Sequence, residues 1–368
     1  MDKLTILQIG TVGTPVRKGS GIGGAEKVIS ALDKEFIAKG HNSIVAAPGD
    51  SEVYGTLLPT IERSYSGTDD SSVYEEHYRK IVEFLLNPNN TVDIIHDNPG
   101  RGFVNSRAYL ENAEKITIPV LMTNHGSELP GLKEDHERLK SLMKTHSIYI
   151  NAISKSQKQK LEEKGVEVID CIYHGTPVEI FELNEYPQDY YFSLARVCKE
   201  KGQSIAIEVT KINNKKLIIA GSIEDKVYFD KEISPHLNED IKYIGTVNDN
   251  QKADLYKNSL AFLMPILWPE PFGLVMIESL ASGAPVIAFN YGAAQEIVED
   301  GKTGYIIDPV VKSNGELDLE TMTQRMAQKA RKIETISRSH CRKRALERFT
   351  IESEANNYLE LYQRLIDR

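Results

Sequence analysis

The chain has 368 residues, more than one hydrophobic core usually serves, so two domains of similar size are expected. Hydrophobic residues at 40% and charged residues at 26% are ordinary for a soluble globular protein. A net charge of -9 argues against a general nucleic-acid binder, and three scattered cysteines (Cys171, Cys198, Cys341) read as reduced thiols rather than a metal set or a disulfide framework.

Met1-Asp2-Lys3-Leu4 leads straight into a strand, which leaves no room for a secretory signal. No apolar run approaches the roughly 20 residues of a membrane span. The expected location is cytoplasmic, with peripheral membrane contact not favoured. Leu4 to Gly10 is a short apolar run ending in glycine, as in a buried parallel strand. A polar, glycine-rich loop runs from Thr11 to Gly24. Ala25 to Lys39 then carries Val28, Ile29, Leu32, Phe36 and Ile37 in helical rhythm, closed by Gly40. Further strands are predicted at 43–47, 92–95, 120–123, 148–153 and 168–173, separated by helical patterns. Asp50 to Asp70 is rich in turn residues and is expected to contain a long loop near the acceptor side, with Asp69-Asp70 at the surface.

After a linker at 177–187 the pattern restarts. It gives strands at 191–195, 216–220, 241–244, 261–264 and 285–289, with helices at 204–213, 251–258 and after Gly273. From Leu319 the chain reads as helix to its end. Strands alternating with helices imply parallel sheets covered by helices on both faces.

The stretch from Trp268 to Ala288 places two carboxylates eight positions apart. Pro271 and Gly273 keep any helix from running through Glu270, so this residue lies in the loop at the mouth of a helix, while Glu278 lies more than a turn inside. In one continuous helix the two would be roughly 12 Å apart, beyond the about 5 to 9.5 Å that glycoside hydrolysis requires. The amides of Phe272, Gly273 and Leu274 begin the helix, where an anion is stabilised. A loop carboxylate for sugar hydroxyls, amides for phosphate and a deeper carboxylate for ribose describe a nucleotide-sugar site.

This stretch closely resembles the Glu-x7-Glu signature of the family 4 glycosyltransferases (glycosyl transferases group 1), retaining enzymes of the GT-B fold. Gly292-Ala293-Ala294-Gln295-Glu296 through Tyr305 resembles the same family's next block. The resemblance implies an α/β protein of two Rossmann-like parallel-sheet domains facing a deep interdomain cleft. Residues 1–180 would form the acceptor domain and 181–345 the nucleotide-sugar domain, with a C-terminal helix at 346–368 packing back on the first.

Arg196 and Lys201, in Ala195-Arg196-Val197-Cys198-Lys199-Glu200-Lys201-Gly202, resemble the family's Gly-Arg-x4-Lys-Gly block and inherit its grip on the diphosphate; Ala195 departs from the usual glycine. Fixed cations there stabilise a leaving group that gains charge. Gly23 and Gly24 resemble the family's N-terminal glycine loop near the donor phosphate. His125-Gly126 resembles its histidine beside the donor sugar. His96 also ends a predicted strand and is expected on the acceptor side, while His174-Gly175 lies where the family has a loop entering the cleft. Thr246 and Val247 resemble the base-packing edge.

The expected activity is transfer of a hexosyl unit from a nucleotide-diphosphate sugar, UDP-linked by the family's commonest usage, to a hydroxyl acceptor with retention. Arg196 and Lys201 hold phosphate, Glu270 the sugar and Glu278 the ribose, while His125 supports the reacting ring. No Asp-x-Asp follows an apolar strand, so no required metal or other cofactor is expected. The basic residues between Arg331 and Arg348 read as a solvated helix. Three readings stay open beside this one: an epimerase or phosphorylase of the same architecture, a non-catalytic nucleotide-sugar binding protein, and a dehydrogenase. The last would use Gly19-Ser20-Gly21-Ile22-Gly23-Gly24 as its dinucleotide loop and Asp50 for ribose.

Overall fold

Short runs of β-branched and apolar residues become strands buried on both faces, as parallel sheets require. In the computed structural model, which describes residues 2–19, 23–65, 71–98, 102–126 and 136–368, seven such strands form the first sheet. They are β1 (Thr5–Ile9), β2 (Asn42–Ala47), β3 (Thr56–Pro59), β4 (Ile94–Asp97), β5 (Val120–Thr123), β6 (Ile148–Ala152) and β7 (Asp170–Cys171). The sheet runs in the order β3-β2-β1-β4-β5-β6-β7, with parallel pairings such as Leu7 to Ile44 and Leu7 to Ile95. Asp69-Asp70 and residues 20–22 of the glycine loop lie outside the described residues.

A second sheet holds β8 (Tyr190–Leu194), β9 (Lys216–Ala220), β10 (Ile241–Tyr243), β11 (Ala261–Met264), β12 (Val286–Phe289) and β13 (Gly304–Ile307). Its order, β10-β9-β8-β11-β12-β13, repeats the doubly wound pattern of the first. Each sheet therefore reverses its winding once, between β1 and β4 in the first and between β8 and β11 in the second. Ligand crevices of open α/β sheets lie outside the carboxyl ends of strands at such a point.

The chain divides into two compact units, Met1–His174 with Ile351–Arg368, and Gly175–Thr350. The sequence reading drew these lines at 180 and 346. The core of the first unit includes Leu7, Ile9, Ile95, Phe103, Tyr109 and Val120. Its last helix, Ile351–Ile366, buries Ala355, Tyr358, Leu359, Tyr362 and Leu365, a spacing of three and four that forms one helical face. Tyr362 packs edge-on against Phe36 of the helix Gly24–Ala38, ring centroids 5.9 Å apart.

Two expectations change. Within Asp50 to Asp70 the strand β3 pairs with β2, Thr56 against Ile44 through Pro59 against Ala47. Four residues ending in proline at a sheet edge carry too little alternation to be read as a strand. The tail is three helices, Leu319–Ala330, Arg338–Arg348 and Ile351–Ile366, and only the last joins the first unit. Ser337 starts the second of them, its hydroxyl accepting from the His340 amide at 3.2 Å.

Candidate active site

In the second unit, the segments leaving β8 and β11 carry the residues singled out from sequence. Lys201 ends the 3-10 turn Lys199–Lys201, and Gly202 follows at φ +71°. A Cβ at Gly202 would stand 2.1 Å from the carbonyl oxygen of Pro265, so glycine lets this turn lie against the chain that leaves β11. The Leu267 amide donates to the Glu200 carbonyl at 2.8 Å, fastening the same two segments. Here Lys201 Nζ meets Glu270 Oε2 at 2.7 Å, and the Trp268 indole N–H donates to that same oxygen at 2.9 Å. The ammonium also stands 4.8 Å from the centroid of the Trp268 ring. Both ion-pair side chains are largely shielded, 14% and 17% exposed.

The backbone of Glu270 is held as firmly. Ala293 donates its amide to the Glu270 carbonyl at 3.0 Å, and a Cβ at Gly292, φ +59°, would fall 1.9 Å from that carbonyl oxygen. The block from Gly292 to Glu296 thus supports the loop carboxylate from behind. Gly273 caps the helix Leu274–Ala281, whose first turn presents backbone N–H groups and the positive end of its dipole. The Phe272 side chain is buried and packs edge-on against Phe349 at 6.1 Å.

Glu278 is a buried partner rather than an open carboxylate. Its Oε1 accepts from Lys252 Nζ at 2.5 Å and its Oε2 from the Tyr256 hydroxyl at 3.4 Å. Lys252 also pairs with Asp249 at 3.1 Å. Burial pulls the Lys252 pKa down, but the two carboxylates outweigh it and leave it raised. A ribose hydroxyl reaching Glu278 has to share an oxygen with these groups. Arg196, by contrast, is 55% exposed and pairs with Glu224. Thr246 is exposed and Val247 half-buried in the connection from β10 to the helix Asp249–Asn258.

In the first unit, Gly23 caps and Gly24 begins the helix Gly24–Ala38, where Glu26 accepts from the Thr11 hydroxyl at 2.5 Å. His125 is half-buried just beyond β5. Its Nδ1 lies 3.1 Å from His174 Nε2 and its Nε2 3.0 Å from Asn98 Oδ1. Burial first, then His174 and His96, hold its pKa well below the usual imidazole range. His96 corrects the sequence reading. It is fully buried, with Nε2 at 2.9 Å from the Thr123 hydroxyl and Nδ1 at 2.6 Å from the Tyr362 hydroxyl. One ring nitrogen bonds β5 and the other the last helix, so none is left for an acceptor.

The basic run from Arg331 to Arg348 is likewise not a simple solvated face. Arg338 is buried and donates to the carbonyls of Asn184, Ser259 and Lys257, while Arg344 bonds the Glu296 carbonyl at 2.9 Å and Glu299 at 2.6 Å. Among the described residues no group of three or more His, Cys, Asp or Glu could hold a metal ion, and no helix is long and apolar enough to cross a membrane. Sequence reasoning gave no role to Trp268, Lys252, Asn98 or Glu354. Trp268 alone carried a signal, as the single tryptophan of the chain standing two residues before Glu270.

Residues 175–332 match the family described as Glycosyl transferases group 1. An uncharacterized glycosyltransferase of Methanocaldococcus jannaschii is 30% identical over 223 residues, 59% of this chain and 61% of the relative. An alpha-1,3/1,6-mannosyltransferase of Dictyostelium discoideum is 27% identical over 165 residues, 38% of this chain and 39% of the relative. This chain thus matches less than two thirds of the length of either relative. The sucrose-phosphate synthase of Thermosynechococcus elongatus superposes with a TM-score of 0.75 at 19% identity, covering 99% of this chain and 100% of that one. The Anabaena protein HepE in complex with UDP-glucose does so with a TM-score of 0.72 at 17% identity, covering 98% and 99%. These likenesses show the GT-B fold for the chain.

Proposed function

We propose that this chain, a GT-B fold whose residues 175–332 match Glycosyl transferases group 1, is a retaining glycosyltransferase of family 4. It moves a hexosyl unit from a nucleotide-diphosphate sugar to a hydroxyl acceptor. The observation that carries this reading is the Lys201–Glu270 pair under Trp268, beside a helix N-terminus and beyond the carboxyl ends of β8 and β11.

The pair is a site in which two charges wait for two parts of one ligand. A sugar diphosphate brings phosphate oxygens for Lys201 and hydroxyls for Glu270, so each partner exchanges the other for a matching ligand group. As the glycosidic bond breaks, charge grows on the departing diphosphate, where Lys201, Arg196 and the amides of Gly273 and Leu274 act as fixed positive groups. No carboxylate in the sequence reading serves as nucleophile, and the acceptor hydroxyl attacks on the face the diphosphate leaves, its proton passing to the departing phosphate as the glycosidic bond breaks. UDP is the favoured nucleotide; a neighbour of the same fold holding UDP-glucose supports that choice. The cations supply the charge neutralisation without a required metal, and the reaction is placed in the cytoplasm.

The test is a panel of UDP-, GDP- and ADP-sugars read by thermal shift and by release of nucleoside diphosphate, with and without EDTA. A UDP-hexose should stabilise the protein at the lowest concentration, since a ligand that binds only the folded state stabilises it by mass action. NMR of the glycoside formed should show the donor's anomeric configuration. An inverted product would remove the retaining assignment, and loss of all turnover in EDTA would remove metal independence.

A further inference from the structure

One hydrogen-bonded chain of the first unit runs from the last helix to His125. Glu354 is buried on the helix Ile351–Ile366, and its Oε1 lies 2.8 Å from His174 Nδ1. His174, also buried, places its Nε2 3.1 Å from His125 Nδ1, with the ring centroids 5.0 Å apart and the ring planes only 19° from parallel. His125 Nε2 ends the chain at Asn98 Oδ1, 3.0 Å away.

The donors and acceptors can be assigned from the two ends inward. Asn98 Nδ2 faces the carbonyl of His96 at 3.3 Å, which only an amide N–H can do, so Asn98 turns its oxygen to His125. His125 Nε2 must therefore carry a proton. At the other end, an ionised Glu354 accepts only, which puts a proton on His174 Nδ1. Were both rings neutral on those terms, His125 Nδ1 and His174 Nε2 would face each other with lone pairs across 3.1 Å. One further proton removes the conflict. Placing the extra proton on Glu354 instead gives the same pattern, because His174 then accepts at Nδ1 and donates at Nε2.

We infer that Glu354 and His174 are positioning residues for His125: the Glu354–His174 pair holds one proton that lets His174 donate its Nε2–H to His125 Nδ1. His125 is thereby fixed as a neutral ring whose one N–H, at Nε2, points to Asn98 beside the carboxyl ends of β4 and β5. This inference rests on the glycosyltransferase reading for what His125 then does, which is to release Asn98 Oδ1 and turn that N–H to a hydroxyl of the donor sugar. The depressed basicity of His125 agrees with a ring that stays neutral. Residue 354 matters because its helix, last in the chain, packs on the first unit and carries the carboxylate to a loop histidine 180 positions away.

Histidine side-chain nitrogen spectra of the full-length protein, recorded without substrate, test the proton pattern directly. The expected result is His125 as the Nε2–H form and His174 protonated at Nε2. His174 seen only as the Nδ1–H form, or His125 as the Nδ1–H form, would overturn the inference. Rates test the positioning. His174→Gln keeps an amide N–H facing His125 and should retain kcat within about threefold, whereas His174→Leu should lower kcat about tenfold or more with a smaller change in donor KM. Equal losses in the two variants would mean that shape rather than the donated proton matters, and would overturn it. Should His174→Leu fail to fold, the wild-type spectrum and the His174→Gln rate still decide. Absence of transfer from every donor tried would count against the proposed function, while the spectra would still judge the relay.

Discussion

At the scale of single residues, the two carboxylates of the Glu-x7-Glu stretch have different surroundings and should fail differently. Glu270 is held by Lys201 and Trp268 at a partly open position. Glu270→Gln should mainly weaken the complete donor and leave the free nucleoside diphosphate bound, as calorimetry with both ligands would show. Lys201→Ala should lower kcat by about 100-fold or more, because its charge is needed most as the diphosphate departs. A wild-type rate in that variant would remove Lys201 from the site. Glu278 belongs to a buried ion pair. Lys252→Met strands its carboxylate and should cost about 3 to 5 kcal/mol of stability in urea titrations. A loss below about 1 kcal/mol would mean that the Lys252–Glu278 pair adds little.

At the scale of elements, the helix Asp249–Asn258 opens with a capping box, Asn248 accepting from the Gln251 amide at 2.9 Å while the Gln251 side chain accepts from the Asn248 amide at 3.0 Å. Asn248→Ala should destabilise the second unit by about 1 kcal/mol. Because Thr246 and Val247 immediately precede this cap, a proposed base-packing edge also loses its anchor. Donor KM should therefore rise in the same variant, and an unchanged KM would separate that edge from the cap. The rhythm of the helix Gly24–Ala38 was legible in the sequence, whereas this box was not read there, the helix being expected to begin only at residue 251. The strand β13 was not read there, because Gly304-Tyr305-Ile306-Ile307 is four residues next to a turn-rich stretch and depends on pairing with β12 for its identity.

For the whole molecule, buried titratable groups set the response to acid. Burial pulls His77 from an ordinary 6.5 to about 4, and burial with nearby His174 pulls His96 to about 3. Unfolded imidazoles take up protons below about 6.5 while these folded ones do not, so their stability is fully present above that pH and is lost as pH falls. Asp97 acts with the opposite sign. Burial pushes it from 3.8 to about 7, against a hydrogen bond from the Phe103 amide, so its contribution falls as pH rises from about 4 to 7. Asp97→Asn should raise the urea midpoint at pH 8 and steepen the loss of stability below pH 6.5; coincident midpoints at pH 8 would contradict the cost of burying the Asp97 carboxylate. Read by itself, the sequence determined the alternation of strands and helices, because period and breakers are local properties, while the parts expected of Arg196, Lys201, Glu270 and the glycines came with the resemblance of short motifs. Tertiary structure alone decided which charges meet: Lys201 with Glu270 across 69 positions, Lys252 with Glu278 across 26, and His174 with Glu354 across 180. It also showed His96 as a packing residue, since burial and partners arise from strand order and helix docking, which no short window of sequence contains.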